Sequence, residues 1–135
     1  MADSFNFELV SPERLLLSAT VTEVVLPGTD GEMTVMANHA PTMTTIKPGV
    51  VTVTTSEGKT DRFVVFGGFA DILPDGCTLL AESAVAVSDI DRDDINRRLQ
   101  DAREDVADAS TDAAKQKAQE YLDQLTTLNG AILPA

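Results

Sequence analysis

A chain of 135 residues, 43% of them apolar, has room for one full domain with an appendage and enough apolar side chains for a buried core. Its 22 acids outnumber its 10 bases for a net charge of −12, which repels nucleic-acid phosphates and anionic lipid. With 5 Phe, 1 Tyr and no Trp it also lacks the aromatic platforms on which single strands stack, so nucleic-acid binding is excluded from the expectations.

The start, Met1-Ala2-Asp3-Ser4, has neither the basic region nor the apolar core of a secretion signal. No apolar run approaches the roughly 20 residues that span a bilayer, so no direct membrane insertion is expected. The expectation is a cytosolic protein, or one held to a membrane complex by other proteins. From Phe5 to Val87 the sequence reads as short strands separated by turn signals. Phe5-Asn6-Phe7-Glu8-Leu9-Val10 alternates apolar with polar residues, as a strand with one buried face does. Ser11-Pro12-Glu13 breaks it, and Leu15-Leu16-Leu17 reads as a short buried run. Val21 to Leu26 is β-branched and apolar, and Pro27-Gly28-Thr29-Asp30-Gly31 is a turn, because Pro27 removes a ladder donor and the glycines accept positive φ. Met33 to Met36 resumes a strand, Asn38-His39-Ala40-Pro41 turns the chain again, and Lys47-Pro48-Gly49 punctuates it once more. This organising stretch predicts a strand-rich rim presenting polar groups, the only histidine among them.

Val51 to Thr55 and Asp61 to Phe66 flank the hairpin turn Ser56-Glu57-Gly58-Lys59, and the second run returns to Gly67-Gly68. Phe69 to Leu73 alternates before the turn Pro74-Asp75-Gly76; Cys77 to Ala81 and Ala84 to Val87 close the series. Many short strands with regular turns predict a sandwich or flattened barrel over residues 1–88.

At Ser88 the period changes. Asp91 is an N-cap, with Asp93 and Asp94 in the first turn, where the helix dipole favours anions. Ile95, Leu99, Ala102, Val106 and Ala109 form one seam. After a cap at Ser110 or Thr111, Ala114, Ala118, Tyr121, Leu125 and Leu128 form another, widened by Leu122 and ended by Asn129-Gly130. The fold class predicted is therefore α+β by segregation: an N-terminal all-β sandwich, then an antiparallel two-helix hairpin over 89–135. Alanine-rich seams bury little area, so the hairpin is expected to be held loosely enough to move or to depend on a partner.

No catalytic set emerges. His39, with Asp30 or Glu32 to orient it, has no nucleophile motif nearby and no second metal ligand at a telling spacing. Gly28-x-x-Gly31-Glu32 lacks the lysine and hydroxyl of a phosphate-cradling loop. Asp89-x-Asp91-x-Asp93 starts like a calcium loop, but Asp94 stands at the glycine position and Gln100 at the glutamate position. Lone Cys77 rules out an internal disulfide and a multi-cysteine zinc site and reads as a buried thiol, while Met33, Met36 and Met43 read as core filling. No metal and no cofactor is expected. An interaction module is the reading this supports. The rivals are a free-standing cytosolic ligand-binding sandwich, for which aromatic residues are scarce, and a small hydrolase built on His39.

Leu26-Pro27-Gly28-x-x-Gly31-Glu32, Asn38-His39-Ala40-Pro41 and Ile46-Lys47-Pro48-Gly49, followed by Phe66-Gly67-Gly68-Phe69 and Leu79-Leu80-Ala81-Glu82-Ser83-Ala84, resemble the epsilon subunit of F-type ATP synthase in order and spacing, from about Phe5 to about Leu128. The resemblance implies a non-catalytic rotor part of the central stalk. Its sandwich would grip the gamma subunit and rest on the proton-driven c-ring, at the cytoplasmic face of the bacterial inner membrane, passing rotation to the alpha/beta head where ATP is made. The ring- and gamma-facing loops of the family match Gly28, Gly31, Glu32, Asn38, His39, Ala40 and Pro41, with Glu32 and His39 the contact residues.

The resemblance weakens in the hairpin. Many members open the first helix with an Ile/Leu-Asp-x-x-Arg-Ala motif that holds ATP. Here Ile90 and Asp91 match, but Asp94 and Ile95 stand at the Arg and Ala positions, so little or no ATP binding is expected. Family members inhibit ATP hydrolysis when the hairpin extends toward an acidic segment of the beta subunit, a contact that wants basic faces. Residues 91–108 carry 7 acids against 4 bases, and 111–128 carry 3 acids against 2 lysines. Arg97, Arg98 and Arg103 form a candidate basic edge, the surrounding field opposes docking, and weak inhibition through a conditional contact with alpha/beta is expected.

Overall fold

Seven strands, a 3-10 turn and two helices follow one another along the residues that the computed structural model describes, 3–132. These are β1 (Phe5–Ser11), β2 (Arg14–Gly28), β3 (Gly31–Val35), β4 (Thr42–Thr55), β5 (Thr60–Leu73), β6 (Gly76–Ala81) and β7 (Ala84–Ala86). The 3-10 turn Val87–Asp89 leads to α1 (Arg92–Asp108) and α2 (Asp112–Ile132). The chain divides into two compact units between Val87 and Ser88.

In the first unit, the order β1-β6-β5-β4-β2 closes on itself because β1 pairs antiparallel with β2 and parallel with β6. Two long strands make closure feasible. The first half of β2 pairs with β1 and its last part with β3. Likewise β5 offers Phe63 to Val65 to β7 and Gly68 to Leu73 to β6. Alternation decides what lies inside: Phe5, Phe7 and Leu9 of β1 are buried while Asn6 and Glu8 are exposed. They join Val24, Leu26, Val53, Ile72 and Leu79 in a core with no buried polar or charged side chain among the described residues.

Several expected breaks prove to be continuous structure. Leu15 to Leu17 open the long strand β2 and are not a short buried run: Leu15 is 53% exposed, its side chain being on the outer face. Lys47-Pro48-Gly49 lies inside β4. The β2–β4 ladder is interrupted between Val25–Thr52 and Gly28–Ile46, so the donors missing from Pro27 and Pro48 fall where no β2–β4 pairing occurs. A β-carbon at Gly49 would come within 2.5 Å of Pro27 Cβ, which explains why glycine follows Pro48: the ring of Pro27 lies against its backbone. Gly67-Gly68 sits mid-strand in β5, with φ of 111° and 140°, bending it between its β7 and β6 pairings. Met36 and Met43 are not core filling but 54% and 67% exposed.

In the second unit Asp91 caps α1, its Oδ1 accepting the Asp93 N–H at 2.9 Å. Thr111 caps α2 by accepting the Ala114 N–H at 3.0 Å. Ile95, Leu99 and Ala102 of α1 and Leu125 and Leu128 of α2 are buried, as their spacing predicts. Ala114, by contrast, is exposed, so the second seam starts at Ala118. Asn129-Gly130 does not end α2, which continues to Ile132; Gly130 keeps a helical backbone instead of the left-handed one a terminator adopts.

Candidate interaction surfaces

The predicted rim forms at one end of the barrel. A two-residue turn, Thr29-Asp30, joins β2 to β3, with Gly28 opposite Gly31 and Pro27 opposite Glu32. It is tied to β4: Thr29 N–H donates to Thr45 O at 3.0 Å and its hydroxyl reaches the same oxygen at 3.4 Å. Three residues earlier, Thr42 pairs with Ile72. The loop before it is pinned by Asn38 N–H donating to Pro74 O at 2.9 Å, with Asn38 itself in the left-handed region at φ 64°. Gly28, Gly31, Glu32 and Asn38 to Pro41 therefore belong to one rim.

Each rim residue has a readable role. Glu32 is exposed on β3, and no hydrogen bond or ion pair engages its side chain among the described residues. His39 is half-buried, with Nδ1 2.8 Å from Ala40 O. A ring nitrogen facing a carbonyl oxygen must carry the proton, so neutral His39 presents its free lone pair at Nε2. The Thr42 hydroxyl donates to the same carbonyl at 3.0 Å, which leaves Ala40 and Pro41 displayed outward. These loops offer hydrogen-bonding groups at one edge of the barrel, the Thr42 hydroxyl and the His39 ring meeting on the same carbonyl.

Sequence reasoning missed a second surface. Register brings Leu15 opposite Val10, Val10 opposite Leu80, and Leu80 opposite Phe69. Paired residues share a face, so these four make one apolar row across β2, β1, β6 and β5 on the outside of the barrel. Phe69 is 42% and Leu80 39% exposed. A groove of about 480 Å³ runs along the row between Val10, Pro12, Phe69, Leu80 and Glu82. The neighbouring row, Glu8-Thr78-Asp71, is polar. No signal in any single strand marks such a row; only the inter-strand register assembles it. Exposed apolar side chains in contiguous array mark contact surfaces.

In the hairpin, Asp94 is engaged by the helix itself. Its carboxylate pairs with Arg98 Nε at 3.1 Å and with the Arg97 guanidinium. Slight desolvation works to raise the Asp94 carboxyl, but the hydrogen bonds and charges of Arg98 and Arg97 outweigh it and hold the group below its ordinary 3.8. Two of the three arginines of the candidate basic edge are thus occupied, and Arg103 is exposed. Ile95 is buried and Ile90 half-buried, so the second substituted motif position serves the hairpin core. Among the described residues no three His, Cys, Asp or Glu side chains are grouped to hold a metal ion.

The model of the ATP synthase delta/epsilon chain beta-sandwich domain matches residues 4–87. The chain is 70% identical over 135 residues to the ATP synthase epsilon chain of Mesorhizobium japonicum and 64% identical to that of Sinorhizobium fredii, each covering 100% of both chains. The chain belongs to the ATP synthase epsilon family. It is accordingly an epsilon subunit of F-type ATP synthase, a non-catalytic accessory part of a membrane-associated complex. Its fold is shared with a chain of the Euglena gracilis mitochondrial ATP synthase OSCP/F1/c-ring structure. That match has 24% identity and a TM-score of 0.74, covering 96% of this chain and 81% of that one. A chain of the Tetrahymena thermophila mitochondrial central stalk and c-ring is also similar, at 12% identity and a TM-score of 0.68, covering 93% and 96%. No helix among the described residues is long and apolar enough to cross a membrane.

Proposed function

We propose that this epsilon subunit works as a rotor part, gripping the gamma subunit through the outer apolar row and resting on the c-ring through the rim. The row carries the reading: four apolar side chains aligned across four strands offer an area that a partner's apolar face would cover. At the rim, Glu32 seeks an arginine or lysine of a ring loop and His39 contributes hydrogen bonds, with Gly28, Gly31, Asn38, Ala40 and Pro41 shaping the edge. Proton flow turning the ring would then be passed to the alpha/beta head at the cytoplasmic face of the bacterial inner membrane.

The hairpin is a weak inhibitor in this reading. Asp94, held by Arg97 and Arg98, presents a carboxylate where an ATP phosphate would need a cation, so ATP binding is negligible. Titration calorimetry with MgATP should give no heat of binding, and a dissociation constant in the millimolar range or tighter would overturn this point.

The grip is tested by Phe69→Glu combined with Leu80→Glu, both outward-facing, in co-purification with gamma and with the gamma-containing alpha/beta head. The pair should abolish co-purification while circular dichroism stays unchanged. Glu32→Ala with His39→Ala should keep gamma and lower ATP-driven proton pumping in membrane vesicles. Undiminished gamma binding by the folded Glu pair would overturn the assignment of the row.

A further inference from the structure

Met33, Met36 and Met43 lie close together in the sequence, and the fold treats them differently. Met33 of β3 pairs with Leu26, is half-buried and packs against the barrel core. Its sulfur lies against the turn: a β-carbon at Gly28 would come within 3.4 Å of Met33 Sδ. Met36 follows the last residue of β3, and Met43 is the second residue of β4. They are 54% and 67% exposed, and Met43 is the most exposed large apolar side chain among the described residues. The remaining thiol, Cys77, is buried.

Register gives Met43 a defined place on the outside of the barrel. It pairs with Asp71 and so ends the polar row Glu8-Thr78-Asp71. Its diagonal neighbours across the ladder are Phe69 and Leu73, 42% and 46% exposed, at a spacing that long side chains span. Leu73 precedes Pro74, to whose carbonyl the rim loop is pinned by the Asn38 N–H. The Met43 thioether therefore extends the outer apolar row from Phe69 toward the rim.

We propose that Met36 and Met43 are oxidation sites of this chain, and that the sulfoxide of Met43 weakens the hold of the outer apolar row on gamma. The second half rests on the rotor reading; the first does not. The oxidant is a peroxide. The thioether sulfur attacks one peroxide oxygen, so that an S–O bond forms and the O–O bond breaks. The displaced hydroxide takes the proton of the transferred oxygen and leaves as water. Sulfur gives up an electron pair and the peroxide is reduced by it. A flexible apolar side chain becomes a polar, chiral one, and Phe69 and Leu73 lose the apolar neighbour between them. Packing keeps the Met33 sulfur, and burial the Cys77 thiol, from the reagent.

The full chain is treated with dilute hydrogen peroxide at neutral pH, the peroxide is removed, and each methionine is quantified by peptide mass spectrometry. Met36 and Met43 should be oxidised about tenfold or more faster than Met33. Equal rates, or Met33 leading, would overturn the assignment of the sites, whatever the chain binds. The treated chain is then titrated with untreated gamma. Oxidation should weaken binding about fivefold or more, and methionine sulfoxide reductases acting on both epimers should restore it. Met43→Leu should bind alike with and without peroxide treatment, whereas Met36→Leu should remain sensitive. Unchanged binding by a chain whose Met43 is fully converted would overturn the role of Met43. An untreated chain that does not bind gamma would overturn the rotor reading and the gamma half of the proposal with it, while the order of oxidation would stand.

Discussion

Gly68 shows how narrowly some single positions are specified. A β-carbon there would lie 2.1 Å from Leu80 O and 2.9 Å from Ala81 Cα, on a backbone with φ 140°. Gly68→Ala must therefore displace β6 and adopt a strained conformation, and should cost at least about 3 kcal/mol, read as a lowered midpoint in urea. Cys77 responds to alkali. Burial, with the nearby Asp71 charge, pushes its thiol from 9.0 up to about 12. Well below pH 9.0 the thiol is protonated in both states and contributes no pH dependence. Above it the unfolded chain releases a proton that the folded chain retains, so stability falls as pH rises from 9.0 toward about 12, by up to about 4 kcal/mol. In denaturation curves collected at successive alkaline pH values, Cys77→Ala should flatten that decline relative to the parent chain.

Helix α2 carries Gly130 in its last turn, without positive φ and with nothing within 4 Å of a β-carbon built there. Gly130→Ala should stabilise the hairpin by about 0.5–1 kcal/mol, measured by its thermal midpoint. Asp94→Asn removes the charge that pairs with Arg97 and Arg98 but keeps one acceptor oxygen, and with all three groups still reached by solvent the loss should stay within about 1 kcal/mol. With the Asp94 carboxyl held below 3.8, its contribution is present above that pH and disappears on acidification through the lowered value. Circular dichroism melts at neutral and acid pH should differ between parent and variant only at the former.

Local signals were read well at this scale. The alternation of β1, the Asp91 cap and the seams at Ile95, Leu99 and Ala102 depend on neighbours within a few residues, and all are where the sequence places them. Punctuation inside strands misled. Pro48, Gly49, Gly67 and Gly68 look like turn chemistry, yet each answers to a different strand: Gly49 to Pro27, Gly68 to Leu80. Gly31, at φ 135°, and Asn38 were legible because they serve local turns, whereas Gly28 ends strand β2 without the positive φ expected of it and is needed because a β-carbon there would lie 2.8 Å from Gly31 O. The apolar row was not, since its members come together only through pairings distant in sequence.

For the whole molecule, the functional prediction concerns the appendage. Residues 89–135 carry 11 acids and 6 bases, and two of those bases are engaged by Asp94. Deleting residues 89–135 should leave ATP hydrolysis by the assembled head nearly unchanged, while a several-fold rise would show that the hairpin inhibits strongly. The barrel has a different consequence, concerning its birth. Its closing strand, β1, leaves the ribosome first, but its parallel partner β6 is among the last strands made. Until Gly76 to Ala81 emerge, a β1–β2 hairpin must wait with one unpaired edge, carrying Phe5, Phe7 and Leu9 without the rest of their core. An open edge with an uncovered apolar face is the form of a nascent chain most exposed to intermolecular pairing. The hazard is temporal: it ends when β6 emerges and lets the ring shut, so slow translation across β4 and β5 would prolong it.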